Sequence, residues 1–537
     1  MRIGLDLDNT LACYEKLFLD EAKTLKLVPS TWQGTKHAVR ERVKRAPGGD
    51  QNWQFLQGRV YGPRMKEAQL FPGVARFLIR CRLRGHKVFI VSHKTEFGHF
   101  DSTRTPLRKA ASTWLAAKGF FRQSRFGLKE RNVFFCGTRE QKVQKIRDLE
   151  LDVFVDDLIE VFQEEGFPEI QKILFNSQLS TDGSATFCVS WGETEEAVLG
   201  PVPKQEFLAL TQEMCGEEIT EIEDLKGRGN SQVFFVSTAA STKFALKSYP
   251  DLMLDDRPRL RTEVNAYNLL EDLGLTPKVF ASDQEMNLAL FEWLDGAPVT
   301  SVSATLIDQC ISFIGELKNL YHAGEYEYAT ASEACLSRAE CCSQIEGRII
   351  NLRSAEDREL QNAIDSVIEP LWRDISIWSE KEWPNERMRA VLAEEKQTLS
   401  PSDFGFHNTL EQSDGSLRFL DFEYFGRDDP VKLIADFVWH PAMNLHWSHK
   451  RRWVKGMLAL FKDDEAMSQR FKAAWPLFGM RWVLILLNEY LDDGWSKRVH
   501  AKRELQGQKK QCQARQLEKS LRMCEEIRVH QKECSYV

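Results

Sequence analysis

The sequence predicts two folded halves of different type: a Rossmann-like α/β domain with a helical insertion over residues 1–200, then a bilobal α+β domain over residues 205–537. Three observations predict this. In the first 200 residues, short apolar runs (Ile3–Leu7, Val88–Val91, Val133–Cys136, Val153–Val155) alternate with amphipathic helical stretches, the pattern of a parallel sheet built from βαβ units. Between Asn176 and Lys204 the text turns loose and ends in Gly200-Pro201-Val202-Pro203, a linker composition. Beyond it, strand-like runs flank a turn before Tyr249, and the text from Ser301 onward is helical by period and rich in Trp, Leu and Phe.

Length and composition agree with two domains. A chain of 537 residues exceeds what one core organises. Hydrophobic content of 42% and charged content of 28% are those of an ordinary soluble protein, and a net charge of −7 argues against a large nucleic-acid surface. The 12 cysteines form no C-x-x-C pair and read as buried free thiols of a reducing, cytoplasmic compartment. No apolar run is long enough for a membrane span, and the N-terminus enters a strand directly rather than a signal peptide.

In the first half, the strand from Ile3 ends in Asp6, Asp8, Asn9 and Thr10. Residues two apart on a strand point the same way, so both carboxylates can face one ligand at the strand's carboxyl end, where open α/β sheets bind. Phe71-Pro72-Gly73 opens a helix from Val74 to Arg84, and the strand that follows ends in Ser92, His93 and Lys94. His93 and Lys94 either line the site or belong to a solvated loop. A third strand leads through Gly137-Thr138 into a helix with Lys142 and Lys145 one turn apart, and a fourth ends in Asp156-Asp157.

These four segments, in this order, resemble the haloacid dehalogenase-like phosphatases. The resemblance implies Asp6 as nucleophile on phosphorus, Asp8 as acid and base, Ser92 as a phosphoryl-oxygen donor and Lys142 as the phosphate-site lysine, with Lys145 the runner-up. It implies Mg²⁺ held by Asp6, Asp8, Asp156 and Asp157, and a cap formed by about residues 14–70. In that insertion Arg40, Arg42, Lys44 and Arg45 read as a phosphate clamp or, more blandly, as a solvated helix face.

In the second half, Gly227, Gly229, Asn230 and Ser231 precede a strand, where glycines let backbone N–H groups approach phosphates. Lys247 lies in a later strand and Glu263 in the helix after it, placed to pair across the fold. Leu288–Leu294 reads as a strand running into a hinge at Asp295-Gly296. From Leu399 to Pro430 come Asp403, then Asn408, then a hairpin turning at Ser413-Asp414-Gly415 and returning from Leu417 to Phe422 past Asp421. One carboxylate near an acceptor hydroxyl, with an amide and a second carboxylate beside metal, is the arrangement of a phosphoryl-transfer site.

Together these parts resemble the aminoglycoside phosphotransferase and choline kinase family from about Ile219 to His440. The resemblance implies a kinase-like fold with an N-lobe of about 205–296 and a C-lobe of about 297–537. It implies ATP with Mg²⁺, Asp403 as base, Asn408 and Asp421 as metal ligands, Lys247 and Glu263 as the nucleotide-lobe pair, and Asp436 as a structural carboxylate. Two residues before Asp403, where the family commonly has histidine, stands Pro401; His407 is nearby at a different offset. The last forty residues, with sparse Leu517, Leu521 and Cys524, read as a solvated helix.

The expectation is a bifunctional protein that hydrolyses a phosphorylated small metabolite in one half and phosphorylates a sugar or amino-alcohol with ATP in the other. The alternative is a single activity with one half a regulatory or binding module. Repair of nucleic-acid ends suits the pairing of activities but not the acidic balance.

Overall fold

The computed structural model describes residues 1–100, 103–175, 183–225, 231–324, 327–383, 390–492, 494–495 and 507–530. The chain divides into two compact units: Met1–Gly216 with Asp251–Asp256 and Glu285–Asn287, and Glu217–Pro250 with Arg257–Gln284 and Leu288–Val537.

The first unit is built on six parallel strands, β1 (Arg2–Leu5), β2 (Lys87–His93), β3 (Val133–Cys136), β4 (Val153–Asp156), β5 (Gln171–Phe175) and β6 (Thr186–Cys188), in the order β3-β2-β1-β4-β5-β6. That order reverses between β1 and β4, the switch point at which open α/β sheets leave a crevice beyond their carboxyl ends. Ile3 and Leu5 are fully buried in β1. Between them Gly4 is required by contact: a Cβ there would lie 2.3 Å from Leu151 and 2.5 Å from Phe154. The strand stops at Leu5, short of the expected Leu7, because the chain turns over Asn9 at a φ of 60°.

The insertion is three helices, α1 (Glu15–Thr24), α2 (Lys36–Lys44) and α3 (Gly49–Tyr61), between the two-residue strands Ala12–Cys13 and Gln69–Leu70, which pair antiparallel. Its own core is small and aromatic, with Phe18 stacked on Trp53 at 5.1 Å. Arg40, Arg42, Lys44 and Arg45 are all exposed on α2, so they form the solvated face rather than a clamp. Helix α4 (Val74–Leu83) precedes β2, α5 (Leu107–Ala117) follows it, α6 (Arg139–Asp148) joins β3 to β4, and α7 (Trp191–Leu199) and α8 (Lys204–Cys215) close the unit. The sequence placed the break at 200–205, but α8 stays with this unit. Arg80 of α4, fully buried, pairs with Glu206 at 2.6 Å, and Arg82 and Arg84 reach Glu213 and Glu206.

The second unit begins with five antiparallel strands, β7 (Ile219–Leu225), β8 (Gln232–Thr238), β9 (Lys243–Ser248), β10 (Val279–Asp283) and β11 (Leu288–Glu292), ordered β10-β11-β9-β8-β7, with helix α9 (Arg259–Leu270) between β9 and β10. The strand expected to reach Leu294 ends at Glu292. The rest is largely helical: α10 (Ala304–Ala323), α11 (Arg338–Arg353), α12 (Glu369–Glu382), α13 (Pro430–Trp439), α14 (Trp447–Leu460), α15 (Met467–Ile485) and α16 (Lys509–His530). Short strands β12 (Thr398–Ser400) and β15 (Gly426–Asp428) pair antiparallel, and between them β13 (Thr409–Glu411) and β14 (Leu417–Phe419) form a hairpin. That hairpin rests on an aromatic core in which Phe313 stacks on Phe419 at 4.2 Å and Phe437 on Trp453 at 4.0 Å.

Helix α16 corrects the expectation of a solvated tail. Cys512, Leu517, Ser520, Met523, Cys524 and Ile527 are buried along one face, and the Ser520 hydroxyl donates to the Val483 carbonyl of α15. The spacing is helical, but the stripe mixes small and polar residues and so reads as weakly apolar. No disulfide joins the 11 cysteines among the described residues, and no described helix is long and apolar enough to cross a membrane.

Candidate active sites

In the first unit the site grows from the sheet. Asp6 follows β1 and Asp156 ends β4, on the two sides of the switch point. Thr138 caps α6 by accepting the Gln141 N–H, which sets Lys142 one turn inside the helix. The Lys142 ammonium donates to Asp6 Oδ1 and to Asp156 Oδ2, each at 2.6 Å. Lys145 lies over the Phe134 ring instead, so of the two lysines it is Lys142 that reaches the carboxylates.

Asp6, Asp156 and Asp157 bring carboxylate oxygens within 4.8 Å of one another. Burial pushes the Asp6 carboxyl up, Lys142 pulls it back, and Asp156 and Asp8 raise it again, leaving it at about 7. Asp157 is raised by burial and by Asp156 and Asp6. Burial opposes the charge on Lys142, yet Asp156 and Asp6 hold it above the ordinary lysine value. Lys142 holds Asp6 and Asp156, and Lys36 acts on the half-buried Asp157, so the carboxylates outnumber the ammonium groups, and a surplus of one sign calls for a further cation. Two hydroxyls, Ser92 Oγ near the end of β2 and Thr10 Oγ1 four residues after Asp6, are buried without a hydrogen-bond partner among the described residues. Hard oxygen ligands and unused donors fit Mg²⁺ and an oxyanion.

Asp8 stands outside the carboxylate cluster. Its oxygens accept from Lys94 at 2.7 Å and from the Tyr14 hydroxyl at 2.6 Å. Lys94 is 3% exposed, so it belongs to the site and not to a solvated loop, whereas His93 is exposed. Lys36 of α2 donates to Asn9 Oδ1 at 2.5 Å and to the Tyr61 hydroxyl at 3.4 Å. Sequence reasoning missed Lys36 and Tyr14. Lys36 had one weak signal, a lone cation just after a Thr35 cap.

In the second unit Lys247 stands on β9, in the middle of the sheet, paired in register with Val233 and Ala289. Its ammonium donates to Glu263 of α9 at 2.7 Å and to Asp421 at 2.5 Å, with Glu423 at 3.3 Å. The hydroxyls of Tyr249 and Tyr267 also donate to Glu263, at 2.7 and 2.8 Å, so that carboxylate is fully engaged. Burial opposes the charge on Lys247, but Asp421, Glu263 and Glu423 hold it well above the usual lysine range.

Asp421 is not on the returning strand, which ends at Phe419; it sits in the turn after it, at a φ of 65°. Burial pushes its carboxyl up, Lys247 pulls it down, and Glu423 and Glu263 raise it again, to about 7. Asn408 lies opposite, at the foot of the hairpin, where its carbonyl accepts the Leu420 N–H. Its side-chain amide donates to the Asp403 carbonyl at 3.0 Å, which turns the amide oxygen away from that contact. Glu263, Asp421 and Glu423 gather oxygens within 4.8 Å, so carboxylates able to hold a divalent cation are present here too.

Glu423 was missed, although its spacing from Asp421 repeats that of Asp6 and Asp8. It is bound by Arg259 and by the Ser231 hydroxyl. Ser231 therefore points inward to a carboxylate; Gly227, Gly229 and Asn230 lie outside the described residues. Asp403 stands apart from the lysine cluster, with His407 and His440 on one of its oxygens. Asp436 pairs with Lys432 at 3.0 Å and accepts the Trp482 indole N–H.

No family model matches the chain, and no curated protein matches it. Among solved structures, a choline kinase from Cryptosporidium parvum Iowa II is similar at 13% identity, covering 57% of this chain and 97% of its own, with a TM-score of 0.38. The choline kinase LicA from Streptococcus pneumoniae is similar at 14% identity over 62% of this chain and 99% of its own, with a TM-score of 0.37. The amicoumacin kinase hAmiN, solved with AMP-PNP, Ca²⁺ and Ami, is similar at 13% identity over 60% of this chain and 95% of its own, with a TM-score of 0.41.

Proposed function

We propose that the protein is a bifunctional phosphoryl-transfer enzyme: a Mg²⁺-dependent phosphomonoesterase in the first unit, and an ATP-dependent kinase of a small hydroxyl-bearing metabolite in the second. The observation that carries this reading is the surplus of buried carboxylate over cation in each half. Asp6 and Asp156 share Lys142 with Asp157 gathered beside them, and Asp421 keeps its carboxyl near 7 even with Lys247 against it. A carboxylate cluster left short of positive charge suits a polyvalent cation and the phosphate it brings.

In the first half, Asp6 is the nucleophile, forming an aspartyl-phosphate as the ester oxygen leaves. Asp8 hands a proton to that oxygen and later takes one from water. Lys142 holds Asp6 in line through its 2.6 Å contact, and the Ser92 hydroxyl donates to a phosphoryl oxygen. Asp6, Asp156 and Asp157 would hold Mg²⁺, which supplies charge neutralisation at the phosphoryl group.

In the second half, Lys247, anchored by Glu263, faces the nucleotide phosphates, and Asn408 and Asp421 would hold the Mg²⁺ that accompanies them. Asp403 accepts a hydrogen bond from the acceptor hydroxyl and aims it at the γ-phosphorus. His407 and His440 hold its carboxyl well below the usual range against the opposing effect of burial, so Asp403 orients the hydroxyl more than it strips the proton. A loose transition state needs little more. The two halves act on different positions of their metabolites, since mere reversal would only consume ATP. The test is a panel of phosphorylated metabolites and of sugars and amino-alcohols, assayed with and without Mg-ATP. Neither phosphate release nor transfer from any member would end this reading.

A further inference from the structure

Asp403 is gripped in a way that the phosphoryl-transfer arrangement itself does not require. His407 Nε2 lies 2.9 Å from Asp403 Oδ1, and His440 Nε2 lies 3.3 Å from the same oxygen. The two imidazoles stack face to face, with centroids 3.9 Å apart and planes within 6°. His407 follows Asp403 by four residues, and His440 is the residue on which α13 ends. Each face of the arrangement is braced. The His440 ring packs edge-on against Trp482 at 4.4 Å, and the Trp482 indole N–H is fixed on Asp436. On the other side Gly405 leaves room for the ring, since a Cβ there would lie 2.5 Å from Met443 Sδ and 2.9 Å from His407 Nδ1.

The hydrogen bonds assign the tautomers. His440 Nδ1 accepts the Ala442 N–H at 3.1 Å, which places its ring proton on Nε2, facing Asp403. His407 Nδ1 is buried with no partner among the described residues. A buried N–H without an acceptor is the costlier alternative, so the His407 proton also sits on Nε2. Asp403 Oδ1 thus takes a hydrogen bond from His407 and lies 3.3 Å from His440 Nε2, while no described residue donates to Oδ2. The Asp403 side chain is 31% exposed against 8% for His407, so the carboxylate is open to an acceptor while the ring that holds it is not.

We propose that His407 and His440 are positioning residues for Asp403: the stacked pair locks Oδ1 and presents Oδ2 alone to the acceptor hydroxyl. The inference rests on the kinase reading of Asp403 and adds a bracing device at positions that the family resemblance does not supply. Pro401 cannot donate a hydrogen bond where the resemblance expects histidine, and the pair does so from elsewhere in the chain. Misaiming a reacting group by about 1 Å costs on the order of 10²-fold in rate, which sets the expected size of the effect.

The test uses the full chain with Mg-ATP, reading turnover with water and with an amino-alcohol panel as acceptors, and Mg-AMP-PNP binding by calorimetry. His440→Leu and His407→Leu should each lower kcat by about 10–100-fold with KM for ATP and AMP-PNP affinity unchanged. His440→Gln and His407→Gln, which keep an N–H near the Nε2 position, should recover most of that loss. In ¹⁵N-histidine spectra of the wild type, both rings should show a protonated Nε2, and Asp403→Leu should shift both signals. Normal turnover in the leucine variants, equal loss in the leucine and glutamine variants, or a rise in KM at constant kcat would each overturn the proposal alone. A wild type that neither binds Mg-AMP-PNP nor turns over ATP would remove the kinase reading and this inference with it.

Discussion

Each half closes a group of buried carboxylates around one buried lysine, and the two lysines are held differently. Lys142 comes from a helix to a place where parallel strands end, and both of its partners, Asp6 and Asp156, are carboxylates proposed to act on phosphate. Lys247 stands in the middle of an antiparallel sheet, and one of its partners, Glu263, is also held by the hydroxyls of Tyr249 and Tyr267, the latter accepting the Asp421 backbone N–H. Lys432 supplies an internal control. It too bridges two carboxylates, Asp428 and Asp436, but Asp428 also accepts the backbone N–H groups of Cys335 and Asp429. A lysine between acids is therefore not itself a site; what separates the first two is negative charge left over. The first site depends on its reacting groups for its own integrity, whereas the second has a dedicated anchor.

The largest expected effect breaks one side of that comparison outright. Asp6→Asn should cut hydrolysis of p-nitrophenyl phosphate by roughly 10³-fold or more, as loss of a nucleophile does, with ATP-dependent transfer untouched. Unchanged hydrolysis would remove Asp6 from the chemistry.

Next, Asp403→Ala should lower transfer by about 10²–10⁴-fold while leaving Mg-ATP affinity intact. Asp421→Ala should weaken Mg-ATP itself yet leave Lys247 seated on Glu263. Calorimetric titration separates the two roles, and wild-type affinity in Asp421→Ala would count against it as a metal ligand.

A third variant sharpens the point about dependence. Lys142→Met leaves the buried Asp6 and Asp156 carboxylates without their shared ammonium, a change that typically costs about 3–5 kcal/mol. Thermal unfolding of this half should show that loss in chelator and a partial recovery in Mg²⁺, since a divalent ion fills the same need. Equal loss with and without Mg²⁺ would argue that no cation site exists there.

The smallest effect concerns structure alone. Burial raises the Glu206 carboxyl, but Arg84 and Arg80 outweigh it and leave the group below its ordinary value of 4.5. A depressed carboxylate adds stability that is present above that value and lost as pH falls through the folded one. Glu206→Gln should therefore cost about 1.5–3 kcal/mol near neutral pH, with the gap to wild type closing under acid. A gap that persists below pH 3 would mean that the charge is not its source.

What the sequence disclosed followed spacing. Asp6, Asp156 and Lys142 each lie at a strand end or one turn into a capped helix, positions that local pattern predicts. Lys247 and Glu263 were legible for the same reason. The hairpin was legible too, but not its length, because the turn that frees Asp421 at positive φ carries no glycine to announce it. Lys36, Tyr14 and His440 were invisible, since each reaches its site from another element and no periodicity links it to its partner. Helix α16 misled because a buried stripe of Cys, Ser and Met is scarcely more apolar than a solvated face.

The two-residue strands Ala12–Cys13 and Gln69–Leu70 leave and re-enter the first unit side by side. An excursion whose ends already touch adds little closure entropy to the host fold, whatever its length. For protein engineering the consequence is an exchangeable slot: replacing residues 14–68 by a short turn or a foreign helical module would leave the threading of the sheet unchanged and would remove Tyr14 from Asp8 and Lys36 from Asn9.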